Sequence, residues 1–113
     1  MRAFPRKASE EFSVGPVTVA RWEQYGLGDA MPFGAMWYEV PPGESAPPDR
    51  HPDAELSLVL GGTASVEADG MITEVETGSA FLLDGDEPHT VHNRGTEPLL
   101  VFSAYWIPDG RDE

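Results

Sequence analysis

The chain contains no cysteine. Disulfides, thiolate metal ligands and a cysteine nucleophile are therefore excluded, and any metal must be held through nitrogen and oxygen. Positive charge is scarce: 7 Lys and Arg stand against 20 Asp and Glu, a formal net charge of -13. That balance repels the phosphate backbone of nucleic acids and anionic membrane surfaces. The acids are scattered, so they read as a solvated surface before they read as a face for one cationic partner. No apolar run approaches the ~20 residues of a membrane span. The opening segment, MRAFPRKASEEF, holds no apolar stretch of the signal-peptide kind. The expectations are a cytoplasmic location and neither a nucleic-acid nor a membrane partner. A sustained helical period is also missing, so no long helix is expected.

What is present is β pattern broken by turn chemistry. The 113 residues, 40% of them hydrophobic, suit one domain with one core. Strands are expected at VTVARWE (17–23), AMWYEV (35–40), ELSLVL (55–60), TASVEA (63–68), MITEVE (71–76), SAFLL (79–83), HTVHN (89–93) and PLLVFSAYW (98–106). Asp69-Gly70 is a strong two-residue hairpin signal. YGLGDAMPFG (25–34) is loop chemistry, ASEEF has the composition for one helical turn, and the tail IPDGRDE is expected to fray. About eight short strands with turn signals every eight to twelve residues imply an antiparallel sandwich or barrel. One domain fills residues 1–113, with 1–14 and 107–113 peripheral.

Only three histidines occur, so their places matter. Residues two apart on a strand share a face. Asp49, His51 and Glu55 are all odd-numbered and point the same way if the chain stays extended; a bulge near Pro52 would change that. His89, Val91 and Asn93 share one face of their strand, and His92 takes the other. His51, Glu55 and His89 are thus able to converge inside a barrel, and two imidazoles with a carboxylate suit a divalent metal. Blander readings stand beside these: a solvated turn histidine at 51, a strand-edge charge at Glu55, a loop-bonding histidine at 89, a turn cap at Asp49, and a turn-bonding amide at Asn93. Trp37, Tyr38, Phe81, Phe102, Tyr105 and Trp106 read as core, with one or two free to line a pocket.

The segments 43–62 and 78–93 resemble the two motifs of the cupin superfamily of small jelly-roll β-barrels. The first motif is matched by Gly43, His51, Glu55 and Gly62 and the second by Gly78, His89 and Asn93, all at family spacing. Asp49 stands where the first motif has its first histidine; Asp84 and Asp86 stand where the second has proline and glycine. The resemblance implies an all-β, single-domain cupin jelly roll. It implies a metal held by His51, Glu55 and His89, with Asp49 at the remaining place as a ligand, a water holder or a general base. Asp49 and Glu55 are the candidate catalytic groups. Such a donor set suits Fe, Mn, Zn or Ni better than Cu; an empty site using both histidines as acid–base groups is the alternative. The expected function is a metal-dependent enzyme acting on a small polar organic metabolite, by isomerase, cyclase, dehydratase or dioxygenase chemistry. A non-catalytic small-molecule-binding module is the rival, because a shared fold does not fix chemistry. Cupins pair through their sheets, so a homodimer is expected, with 17–23 and 98–106 offering apolar surface.

Overall fold

The computed structural model describes residues 1–108; the end of the tail expected to fray, 109–113, lies outside them. Nine strands form two antiparallel sheets. They are β1 (Phe12–Val14), β2 (Val17–Arg21), β3 (Gly34–Val40), β4 (Ala54–Gly61), β5 (Thr63–Ala68), β6 (Met71–Glu76), β7 (Ala80–Leu83), β8 (His89–His92) and β9 (Leu99–Trp106). The larger sheet has the order β1-β2-β3-β9-β4-β7, the smaller β6-β5-β8. This is the all-β, two-sheet architecture expected from the strand spacing, and the jelly roll that the cupin resemblance implies; no helix among the described residues is long and apolar enough to cross a membrane.

Two local expectations change. Residues 12–14 form a strand that pairs with β2, and the helical turn is a 3-10 turn at Arg6–Ala8, ahead of ASEEF. The strand expected at 17–23 stops at Arg21, and Trp22–Tyr25 winds into a second 3-10 turn. The aromatic residues explain that turn. Trp22 packs on Trp37 and Phe102 with ring centroids 5.0 Å away in each case, and Phe4 stacks on Tyr25 at 4.1 Å. This cluster ties the N-terminal segment to the outside of the larger sheet.

The hairpin at Asp69-Gly70 forms as its chemistry requires. Both residues have positive φ, 53° and 73°, the mirror-image turn that suits the twist of paired strands. Gly62 ends the β4–β5 crossing at φ +78°, where a Cβ would lie 2.7 Å from the Pro98 carbonyl oxygen. A glycine is the one residue that satisfies both conditions there.

Between the sheets lies the core, built from Val17, Val19, Val40, Val59, Val66, Val91, Leu99, Val101 and their neighbours. Burying each such side chain contributes about 1.5–3 kcal/mol. The inner face of the larger sheet is graded along the barrel. One cross-strand row reads Val19, Tyr38, Val101, Val59; the next reads Arg21, Met36, Ser103, Ser57; the last reads Gly34, Tyr105, Glu55, Leu83. One end of the barrel is therefore apolar, and the other gathers the ionisable groups.

Candidate metal centre

The segment between β3 and β4 lies along β8 as an extra, irregular strand. Ala46 donates its amide to Val91 O at 2.9 Å, and Asp49 and His89 exchange amide-to-carbonyl bonds at 2.9 Å in each direction. Asp49 is thus directly opposite His89, which places both side chains on one face. The Asp86 amide donates to His51 O at 2.7 Å, fixing the stretch around His51 against the loop that leads into β8. Asp86 takes φ 64°, at the place where the motif has glycine. Aspartate tolerates this left-handed conformation better than most residues.

Asp49, His51 and His89 each bring one ligand atom within 4.8 Å of the others. Glu55, reached from β4, stands beside this trio, with its Oε1 3.3 Å from His51 Nε2. The imidazole rings of His51 and His89 lie 5.0 Å apart at 71°. The four residues singled out from the sequence share one cavity, but the group within ligand distance is Asp49, His51 and His89, and Glu55 joins it through its contact with His51.

Each histidine is oriented in the same way. His51 Nδ1 lies 3.0 Å from Asp53 O, and His89 Nδ1 lies 2.9 Å from Glu87 O. A carbonyl only accepts, so each Nδ1 carries a hydrogen, and in the neutral ring Nε2 then presents a lone pair. Metal-ligating histidines are held by this kind of outer contact. At His51 that lone pair faces a carboxylate oxygen, itself an acceptor, and two acceptors at this distance call for a cation or a proton between them. The donor set, two imidazoles with Asp49 and Glu55, fits a divalent ion of intermediate hardness.

Glu55 is only 7% exposed. Its charge is supported by a hydroxyl chain: Ser57 Oγ donates to Glu55 Oε2 at 3.2 Å, and the Ser103 hydroxyl lies 2.7 Å from Ser57 Oγ. Because Ser57 gives its hydrogen to Glu55, Ser103 donates to Ser57. Tyr38 lines the same cavity, and burial, then the Glu55 charge, push its phenol well above the usual tyrosine range. It stays a neutral hydrogen-bond donor.

His92 is on the other face, as its parity requires. It meets Ser45 Oγ at 2.6 Å and Glu67 Oε1 at 2.9 Å and takes no part in the site. Asn93 is structural. It is 2% exposed, its amide donates to Val40 O and Glu97 O, and its oxygen accepts from the Gly95 amide. Asp84 has no less a reason to differ from the motif proline, because its amide hydrogen is used by the Glu87 carboxylate at 3.1 Å. The sequence reading passed over Arg21, Ser57 and Ser103. Parity along VTVAR puts Arg21 on the same face as Val17 and Val19, a signal present in the sequence.

The cupin-domain family model (Cupin_2) matches residues 36–107. The chain belongs to the cupin family. Solved structures with the same cupin barrel include the plu4264 protein of Photorhabdus luminescens, 21% identical, covering 98% of this chain and 89% of that one at a TM-score of 0.79. The polyketide cyclase RemF of Streptomyces resistomycificus is 22% identical over 93% of this chain and 78% of its own, at a TM-score of 0.80. A predicted oxalate decarboxylase of Thermotoga maritima is 20% identical over 88% of this chain and 91% of its own, at a TM-score of 0.73. At these identities the likeness carries the cupin fold and no reaction.

Proposed function

We propose that this cupin is a metal-dependent enzyme acting on a small polar organic metabolite. The observation that carries the reading is the paired orientation of His51 and His89: both give Nδ1–H to a main-chain carbonyl, both bring a ligand atom within 4.8 Å of one from Asp49, and His51 Nε2 lies 3.3 Å from Glu55 Oε1. His51, His89 and Glu55 would hold the ion, with Asp49 as a further ligand or as a base beside it. A divalent ion there supplies Lewis acidity toward a carbonyl or enolate oxygen. The remaining work falls to side chains of the barrel. Glu55 and Asp49 accept a proton, Tyr38 donates a hydrogen bond to a developing negative oxygen, and Val17, Val19 and Val91 wall off water. That a polyketide cyclase and a predicted oxalate decarboxylase share the barrel supports enzymatic use of such a cavity without selecting a reaction.

The test is elemental analysis of protein purified without a histidine tag, repeated on His51→Ala. About one divalent ion per chain, lost in the variant with folding retained, is expected. Wild-type protein that takes up no divalent ion on titration would remove this reading.

A further inference from the structure

We propose that the site takes a small amphipathic carboxylate, with Arg21 as the residue that pairs with its anionic end. This rests on reading Asp49, His51, Glu55 and His89 as the reaction centre, and adds the class of ligand that centre receives.

The first observation is charge. In a chain with 20 acids and 7 bases, Arg21 is the one Lys or Arg that lines the cavity of the candidate site. Arg2 pairs with Asp29 and Arg6 with Glu39. Arg21, like Lys7, Arg50 and Arg94, makes no ion pair among the described residues. Its contacts are neutral: Nη1 donates to the Tyr105 hydroxyl at 2.9 Å, and the guanidinium lies 5.6 Å from the Tyr105 ring centre and 5.9 Å from that of Phe12. A guanidinium carries five N–H donors in a planar fork suited to a carboxylate. One of the five is engaged here.

The second observation is position. Arg21 ends the inner face of β2, above Val19 and Val17. It lines a cavity of about 260 Å³ together with Tyr105, Met36, His51, Glu55, Asp49 and Asp53. An adjoining lobe of about 140 Å³ shares Arg21 and adds an apolar wall with Val17, Val19 and Val91. A ligand bridging these walls meets hydrocarbon on one side and Arg21 on the other. Asp49, Asp53 and Glu55 face the same space and repel a free anion. Arg21 is the group that reverses this preference at the mouth, so it separates anionic from neutral ligands.

The third observation is that Arg21 is held in place. Tyr105 accepts its hydrogen bond and donates its own hydrogen to Glu23 at 3.0 Å. Tyr105 has room because position 34 lacks a side chain: a Cβ on Gly34 would lie 2.1 Å from Tyr105 Cε2. The carboxylate of Glu23 is thus engaged by the phenol, and the guanidinium fork stays available to the cavity.

Calorimetric binding of 3-phenylpropionate and of its neutral amide, 3-phenylpropionamide, to metal-loaded protein tests this. The wild type is expected to favour the carboxylate by about tenfold, a preference that shrinks as salt rises. Arg21→Gln is expected to abolish the preference with metal content and melting temperature unchanged, and Arg21→Lys to restore part of it. Equal affinity for both probes in the wild type, binding of neither at millimolar concentration, or an intact preference in Arg21→Gln overturns the proposal. Metal content is measured on the same samples. A protein that holds no metal yet shows the Arg21-dependent preference would sink the metal reading and leave this one standing.

Discussion

Asp49 and His89 face each other as a hydrogen-bonded antiparallel pair, each amide donating to the other's carbonyl at 2.9 Å. The backbone therefore presents position 49 to the candidate metal site whatever side chain it carries. Asp49→His should complete a three-imidazole set without moving the chain. Softer nitrogen donors shift preference toward copper and nickel, following the general order of divalent affinities. The expected result is a gain of roughly tenfold in competition for Ni(II) or Cu(II) over Mn(II), read with a chromophoric chelator. An unchanged selectivity would mean that position 49 does not reach the ion. His89→Ala, by contrast, should lower affinity for every one of these ions.

Tyr38 couples the cavity to alkaline pH. Burial, followed by the Glu55 charge, raises its phenol far above the ordinary range, and Ser57 opposes this only in part. The unfolded chain releases the tyrosine proton near pH ~10, whereas the folded chain retains it. Above that pH the folded state binds more protons, so stability is complete below pH ~10 and falls as pH rises beyond it, by about 1.4 kcal/mol per unit per proton. Tyr105 is raised as well, by burial and by Glu23, and acts in the same direction. Urea unfolding at a series of alkaline pH values should give a shallower decline for Tyr38→Phe than for wild type. Superimposable slopes would show that Tyr38 is not the group responsible.

Asn93 satisfies three main-chain groups at once: the carbonyls of Val40 and Glu97 and the amide of Gly95. Asn93 and Val40 are buried, so water cannot replace the bond to the Val40 carbonyl, whereas Gly95 and Glu97 lie at the surface. Asn93→Ala should cost about 2–4 kcal/mol in denaturant unfolding. Asn93→Asp should cost at least as much, because a carboxylate would be turned on two carbonyl oxygens. A loss below about 1 kcal/mol in Asn93→Ala would place the residue outside the supporting frame.

For the expected homodimer, a second face offers more outward apolar surface than 17–23 and 98–106 do. The apolar residues of 17–23 and 98–106 are largely engaged within the chain: Val17, Val19 and Val101 lie in the core, and Phe102 packs on Trp22. The leucines left outward are Leu56, Leu58 and Leu60 on β4 and Leu82 on β7, the last 56% exposed and in register with Leu56. We propose that two copies pair across this face. Sedimentation should give a dimer for wild type and a monomer for the double variant Leu58→Glu, Leu82→Glu; a wild-type monomer at high concentration ends the idea.

Much of this site was legible because strands have a period of two. The odd numbering of Asp49, His51 and Glu55, and the opposed parity of His89 and His92, are borne out in space. The hairpin at Asp69-Gly70 was legible for a similar reason, since its turn admits few residues. What stayed hidden depends on contacts distant in sequence. Parity could not choose between Trp37 and Tyr38, because both faces of the larger sheet are covered: Tyr38 faces the cavity and Trp37 meets Trp22 and Phe4. Residues 12–14 carry too little pattern to mark a strand, and pairing with β2 decides their conformation. Arg21 carried no reading of its own in the sequence, because Tyr105, which holds it, lies far along the chain.

Gly34 links stability to recognition through that contact. Its place in the row beside Tyr105 and Glu55 leaves open the space the Tyr105 ring occupies. Gly34→Ala puts a methyl group 2.1 Å from Cε2 of that ring, a distance no pair of carbons sustains, so the ring must swing away. The overpacking should cost about 1–3 kcal/mol. The displaced hydroxyl also releases Arg21 and Glu23, which are then free to pair with each other. Carboxylate preference should fall with the metal content intact. Tyr105→Phe separates the two effects, because it keeps the ring and removes the hydroxyl; it should weaken the preference with a smaller loss of stability. Should Gly34→Ala match the wild type in both melting temperature and carboxylate preference, the ring does not hold Arg21, and the support assigned to Tyr105 is wrong.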